Sequence, residues 1–285
     1  MTGEPRAAMI FAAGLGTRMG DLTREAPKPM LPLAGRPMID HAVDLVRQAG
    51  IQRIVANTHY LHERIAPHLD ELGAIVVREH PTILETGGGL KAALPDLASD
   101  PVITLNPDAA WTGPNPIGTL LDTWRPEMQA LLLLVPLSAA KTTRDTGDFS
   151  LEQGEIRREG DFLYTGAQII RTGGLAEIHD SAFSLNRYWD ALARTGPLHG
   201  VVHTGGWYDI GHPEGLAEAE RMDELLRGKR LELEGGAGDV RLDPADDTPL
   251  LLVAGGSGIS QALCLALAQT RRHPEATVQM LACAD

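Results

Sequence analysis

Gly14, Gly16 and Arg18 follow directly on an apolar run in "AAMIFAAGLGTRMG", residues 7–20. A glycine-rich turn after a strand lets backbone N–H groups wrap an anion, and Arg18 and Lys28 add positive charge beside it. No Gly-Lys-Ser/Thr follows, so this is not a Walker A loop. The G-x-G-x-x-x-G spacing is not a dinucleotide fingerprint either, and Asn57 stands near where an acidic ribose ligand would be wanted. A plain strand-to-helix turn with two incidental basic residues explains the loop equally well. Two carboxylates shift the balance. Asp108 comes immediately after a buried-strand run in "VITLNPDAAW", and Asp209 lies in "GGWYDIGHPEG", a short apolar segment before a helix. Taken singly, each reads as a turn or N-cap aspartate. Placed together at strand ends opposite a phosphate loop, they are what a Mg²⁺-nucleotide site needs, because Mg²⁺ takes oxygen ligands and substrate phosphates.

The elements that must position these residues alternate in type. Apolar runs suited to buried strands fall at 7–12, 53–57, 74–78, 102–106 and 129–135. Between them lie amphipathic helical patterns such as "MIDHAVDLVRQAG" (38–50), where Ile39, Val43 and Val46 share a face and Gly50 sits at a C-cap position. The expected fold is α/β, a Rossmann-like, mostly parallel sheet flanked by helices. The helical pattern resumes only near Pro37, which predicts a long phosphate loop. Residues 136–172, with turns such as "LEQGEIRREGDF", are expected to form a small antiparallel insertion. Helical patterns at 185–195 and 213–228 follow. The Gly/Asp/Pro-rich stretch "LELEGGAGDVRLDPADD" reads as a linker. The expected organisation is a domain over 1–230, a linker over 231–247 and a short βαβ appendage over 248–285.

Composition narrows the function classes. A formal net charge of −13 argues against a nucleic-acid backbone as partner. The longest apolar run, "ALLLLVPL" at 130–137, is too short to span a bilayer. The start "MTGEPRAA" lacks the basic and apolar regions of a signal peptide, and Cys264 and Cys283 have neither metal nor redox spacing. A cytoplasmic protein working on small molecules is expected, with no oligomeric state implied. His59, His62 and His68 lack an acidic or Cys partner at metal spacing, and His199 and His203 flank an apolar strand. Glu159 and Asp161 read as solvated, and Trp189 as a core residue of an amphipathic helix.

Beyond this, "AAGLGTRM" with "APKPMLPLAGRPMI" resembles the signature of sugar-1-phosphate nucleotidyltransferases. The segments "LETGGGLKAALP" (84–95), "LNPDAAW" (105–111), "GDFSL" (147–151), "YTGAQI" (164–169) and "WYDIGHPEGLAEAE" (207–220) continue it in order over about residues 7–228. Within that family the chain looks most like the uridylyltransferases that act on N-acetylmuramate 1-phosphate in peptidoglycan recycling. The resemblance implies that Ala13, Gly14, Gly16, Thr17 and Arg18, with Lys28, hold the nucleotide and its phosphates. It implies that the "ETGGG" turn (Glu85, Thr86, Gly87 and Gly88) approaches the base and ribose, and that Asn106, Asp148 and Gly166 meet the sugar phosphate. Asp108 and Asp209 would hold Mg²⁺, while Arg18 and Lys28 neutralise charge during transfer. Two departures stand out: Pro107 where Gly is commoner, and His212 where Thr is commoner.

The reaction so implied joins an NTP and a sugar 1-phosphate into an NDP-sugar and pyrophosphate. Mannose- or glucose-1-phosphate nucleotidyl transfer is the alternative on the same scaffold; a non-catalytic nucleotide-sugar binding protein is an alternative of another class. A further alternative, an NAD(P)-linked oxidoreductase, rests on the tail alone. There "TPLLLVAGGSGISQALCLALAQ" (248–269) resembles the NAD(P)-binding half of ferredoxin-reductase-type flavoenzymes. One strand, one helix and one more strand are expected there, too little to bury a core alone, as in a fused or truncated remnant.

Overall fold

The computed structural model describes residues 3–226, 250–255 and 278–283. The chain divides into two compact units, Met1–Leu216 and Ala217–Asp285. The first run of small and apolar residues forms β1 (Ala7–Phe11), buried along nearly its whole length. Its side chains alternate between two layers: Ala8 and Ile10 enter one core, Ala7 and Met9 the other. That two-sided burial is why the run shows no polar alternation.

The connection after β1 holds more structure than expected. Thr17–Thr23 and Lys28–Met30 are 3₁₀ turns, and β2 (Pro32–Leu33) pairs with β3 (Arg36–Pro37) in a minimal hairpin. Helix α1 (Met38–Gln48) then starts where the amphipathic pattern does, and Gly50, at φ 87, lies just beyond it in the left-handed region. The chain continues through β4 (Arg53–Thr58), α2 (His62–Glu71), β5 (Ile75–Arg78), α3 (Glu85–Leu97), β6 (Val102–Leu105), β7 (Ala109–Trp111), α4 (Pro116–Thr123) and β8 (Ala130–Pro136). All five expected strands are present as β1, β4, β5, β6 and β8, but β5, at the sheet edge, is only half-buried and not the buried strand expected. The "ETGGG" segment, expected as a turn, is instead the opening of α3.

Strands β9 (Phe149–Glu152), β10 (Glu155–Arg158) and β11 (Phe162–Ile170) follow, then α5 (Leu185–Leu192), β12 (Leu198–Val202), β13 (Trp207–Asp209) and α6 (Pro213–Leu226). Nine strands form one sheet in the order β5-β4-β1-β6-β11-β8-β12-β10-β9. β5, β4, β1 and β6 are parallel neighbours, and β8 and β12 are parallel to each other. The antiparallel segment is no separate layer: β11 lies in mid-sheet, antiparallel to both β6 and β8. The β9–β10 hairpin extends the far edge, and β9 returns to meet the start of β11, with Phe162 opposite Phe149.

Two apolar layers hold the sheet. On one face α1, α2 and α4 contribute Ile39, Val43, Ile65, Leu69, Ile117 and Leu120; on the other α3 and α5 contribute Leu90, Leu97, Leu185, Trp189 and Leu192. Each fully buried aliphatic side chain among them is worth roughly 1.5–3 kcal/mol. The sheet is therefore a rigid platform whose strand ends are free for chemistry.

In the second unit, β14 (Leu250–Gly255) and β15 (Val278–Cys283) pair in parallel. The expected glycine turn and helix, the linker and the boundary near Arg230 lie outside the described residues. Among the described residues, no helix is long and apolar enough to cross a membrane.

Candidate active site

In chain order the sheet runs from β1 outward to β4 and β5, then returns to the other side of β1 as β6. The order reverses between β1 and β6, and at such a point the loops leave in opposite directions and open a crevice at the strands' carboxyl ends. The glycine loop leaves the end of β1 there, and Asn106 to Asp108 leave the end of β6.

A buried polar chain holds the start of the loop. The Ala12 N–H donates to Asn57 Oδ1 (2.9 Å), Asn57 Nδ2 donates to Glu79 Oε1 (2.6 Å), and Glu79 Oε2 accepts from the Leu84 N–H (2.6 Å). Asn57 thus ties the phosphate loop to the entry of α3, a role its distance in sequence from both concealed. Beyond Ala13, which is buried, Gly14 and Thr17 are exposed, and a Cβ on Gly14 would meet nothing within 4 Å. Gly16 has φ 66, and a Cβ there would lie 3.0 Å from Lys28 Cβ. The loop therefore closes on the lysine.

Lys28 is buried among these turns, and its Nζ donates to Asp108 Oδ2 at 2.6 Å. Asp108 and Asp209 stand on adjacent rungs of the β7–β13 ribbon: Ala109 pairs with Asp209, and the Ile210 N–H donates to Asp108 O (3.0 Å). Residues 101 positions apart in sequence are brought side by side in this way. Arg18 reaches the same place: a Cβ on Gly211 would lie 2.9 Å from Asp209 Oδ1 and 3.1 Å from Arg18 Nη1. Gly211, which sequence reasoning missed, is the gap that lets arginine and aspartate approach. Thr142, also missed, donates its hydroxyl to Asp209 Oδ2 at 3.2 Å. The two departures are accommodated. Pro107 is buried while Asp108 keeps its lysine, and His212 accepts at Nδ1 from the Gly215 N–H and meets Thr143 Oγ1 at Nε2.

Beside these carboxylates opens a cleft of about 300 Å³ whose walls include Phe11, Thr86, Asn106, Asp148, Tyr164 and Trp189. It brings together Asn106 and Asp148, two of the three expected sugar-phosphate residues. Asp148 Oδ2 accepts from the Tyr164 N–H (3.0 Å), and Arg144 donates to both its oxygens (2.5 and 2.9 Å). That carboxylate holds the Arg144 guanidinium above its ordinary pKa. Trp189 has the core position expected of it, with its indole N–H on Gln168 Oε1, and it also lines the cleft, its ring 4.9 Å from that of Tyr164. Burial pushes the Tyr164 phenol well above its usual range, so at neutral pH it is an uncharged wall residue. Gly166 acts indirectly. At φ 88 in an irregularity of β11, it leaves the space where a Cβ would lie 2.8 Å from Asn106, and its carbonyl accepts the Asn106 N–H.

The α3 opening divides. Glu85 is exposed and Thr86 faces the cleft, but Gly87 and Gly88 are buried and both donate to Phe183 O. Cβ atoms there would collide with Phe183 and Ser181. Their bareness therefore admits protein, where the expectation was close approach by base and ribose. Each histidine of the 59/62/68 group has its own partner: Glu79 O, Thr58 Oγ1 and Asp40 respectively. A larger hollow of about 470 Å³ between β10 and α5 contains none of the loop glycines or paired aspartates.

A glycine loop and two adjoining carboxylates at a switch point, beside a cleft of about 300 Å³, are the arrangement expected of a nucleotidyl-transferring α/β enzyme. Residues 8–138 match the MobA-like NTP transferase domain. The chain is 34% identical over 238 residues to the N-acetylmuramate alpha-1-phosphate uridylyltransferase of Caulobacter vibrioides, covering 77% of this chain and 98% of that protein. It is 32% identical to the enzyme of the same name from Neisseria meningitidis, over 75% and 97% respectively. The inositol-1-phosphate CTP transferase of T. maritima shares the fold, with a TM-score of 0.65 at 16% identity over 77% of this chain and 98% of that one. The chain belongs to the sugar-1-phosphate nucleotidyltransferase family.

Proposed function

We propose that this enzyme, through a catalytic domain spanning 1–230, joins UTP and N-acetylmuramate α-1-phosphate into UDP-N-acetylmuramate and pyrophosphate, in the cytoplasm as part of peptidoglycan recycling. The observation that carries the reaction type is the placement of Asp108 and Asp209 on adjacent rungs facing Lys28 and Arg18. The substrate assignment is supported by the two relatives of that name, each matched over nearly its whole length.

A sugar-phosphate oxygen attacks the α-phosphorus in line; the new P–O bond forms as the bond to the β-phosphate oxygen breaks, and pyrophosphate carries away the electron pair. The attacking phosphate is already anionic at neutral pH, so the chain need supply no base. What it supplies is position and charge. Asn106, Asp148 and the aromatic wall orient the sugar. The Gly14–Gly16 backbone, with Ala13 and Thr17, cradles the nucleotide phosphates, and Glu85 and Thr86 stand at the nucleoside end. Arg18 and Lys28 offset the charge that builds on the reacting oxygens.

Family members generally use a divalent metal, and the residues here suit Mg²⁺. Two carboxylates adjoin, supplying the oxygen ligands that substrate phosphates would complete. Asp108 and Asp209 would hold the ion, which when bound polarises the α-phosphate and steadies the leaving pyrophosphate. The test is pyrophosphate release with Mg²⁺, pairing UTP and GTP with the 1-phosphates of N-acetylmuramate, N-acetylglucosamine, glucose and mannose. Turnover is expected with UTP and N-acetylmuramate 1-phosphate; preference for another pair would replace the substrates and keep the mechanism.

A further inference from the structure

Asp148 has a partner that the proposed reaction leaves without a task. Arg144 lies in the connection between β8 and β9 and grips the Asp148 carboxylate with two N–H groups, at 2.5 and 2.9 Å, on the wall of the sugar cleft. The connection is pinned on both sides of it. The Lys141 N–H donates to Trp207 O and Lys141 O accepts from the Asp209 N–H; Thr142 reaches the Asp209 carboxylate, and Thr143 meets His212. After Arg144, the Asp148 N–H donates to Phe162 O at the start of β11. The guanidinium is thus kept over the cleft on a short tether, with its side chain 40% exposed.

A second cation, Arg158, lines the same cleft, but it is committed. It donates to Asp190 and Asn186 and lies 5.1 and 5.4 Å from the centres of the Phe149 and Trp189 rings. Releasing it would cost stacking and hydrogen bonds together. Arg144 gives up only one partner, and that partner keeps the Tyr164 N–H. Sugar hydroxyls, which donate to a carboxylate, are able to replace the guanidinium on Asp148. N-acetylmuramate differs from N-acetylglucosamine by a lactyl ether that ends in a carboxylate. Bringing that charge into a cleft without a counter-charge is costly, and a bidentate guanidinium is the side chain best shaped to meet it.

We propose that Arg144 is a specificity-determining residue that exchanges Asp148 for the carboxylate of an acidic amino-sugar 1-phosphate. Its resting pair with Asp148 rehearses the contact it makes with substrate. The inference rests on the N-acetylmuramate reading above, and the experiment separates the two. Steady-state kinetics at saturating UTP compare N-acetylmuramate and N-acetylglucosamine 1-phosphates for the wild type, Arg144→Ala and Arg144→Lys. Arg144→Ala is expected to raise KM for the carboxylated sugar by about tenfold or more, with KM for UTP and turnover of the uncharged sugar held. Arg144→Lys keeps the charge without the fork and falls between. Equal losses on both sugars would overturn the proposal, because the guanidinium would then serve the shared phosphate or the loop. A preference that survives in Arg144→Ala overturns it as well. A wild type that does not favour the carboxylated sugar is a failure of the substrate reading, seen before any variant is made, and the proposal falls with it.

Discussion

On the proposed nucleotide side of the cleft, parallel strands β4, β1 and β6 deliver their loops from carboxyl ends, and the groups on offer are backbone and charge: Gly14, Gly16, Arg18, Lys28 and the β7–β13 ribbon. On the sugar side, β11 and β8 run antiparallel, and side chains from Asn106, Arg144, Asp148, Tyr164 and Trp189 make the walls. In the proposed reaction the nucleotide side would meet a triphosphate, whose charge and shape vary little among substrates, so a loop of N–H groups and fixed cations would suffice. The sugar side must tell similar rings apart. Specificity of that sort needs hydrogen-bonding groups that are left unpaired by the wrong ligand.

Four substitutions and one titration sharpen or break this division. The largest effect is expected at the carboxylates: Asp108→Asn or Asp209→Asn should cut Mg²⁺-dependent pyrophosphate release by about a thousandfold or more, with the thermal melt little changed. Near-normal turnover in either variant would remove the metal assignment. Arg18→Ala comes next, with kcat/KM lower by about a hundredfold and KM for the sugar phosphate held; a shift confined to the sugar would show that the sides are not separable.

Gly166→Ala probes the sugar side. Forcing a side chain to φ 88 and against Asn106 should cost about 1–3 kcal/mol of stability and raise KM for the sugar phosphate while sparing UTP. An equal rise for UTP would deny Gly166 a role on one side only. The smallest effect is expected behind the β7–β13 ribbon, at His203. Burial lowers its pKa, its Nε2 pairs with Thr112 O, and its Nδ1 has no partner among the described residues. The fold therefore holds it neutral. As pH falls below the unfolded value of about 6.5, the unfolded chain takes up a proton that the fold resists, and stability declines down to the lowered folded pKa. Denaturant midpoints at about pH 7.5 and about pH 5.5 should differ less in His203→Gln than in the wild type. An identical slope in both would place the titrating group elsewhere.

The nucleotide half was readable because its chemistry is local. Gly14 to Arg18 lie within a few residues of β1, and Asp108 directly follows β6, so strand pattern and motif together position them. The pairing of Lys28 with Asp108 was not readable, since the two are 80 residues apart and meet only when the loop folds back. The same holds for Asn57, whose misfit as a ribose ligand is explained by Ala12 and Glu79. On the sugar side, Asp148 came from a family motif, while Arg144 and Thr142, in a charged and ordinary-looking stretch, carried no signal. Their roles come from neighbours 4 and 67 residues away. Gly87 and Gly88 mislead in the opposite sense, because glycine records a close approach without recording what approaches.

By itself the sequence determined the strand–helix alternation, the phosphate loop and the two carboxylates, because hydrophobic period, turn chemistry and ligand type are written residue by residue. The order of the strands, the place of β11 between β6 and β8, and the meeting of Arg144 with Asp148 were decided by tertiary structure. These depend on which buried faces pack together, and that free energy belongs to pairs of distant segments and to neither one alone.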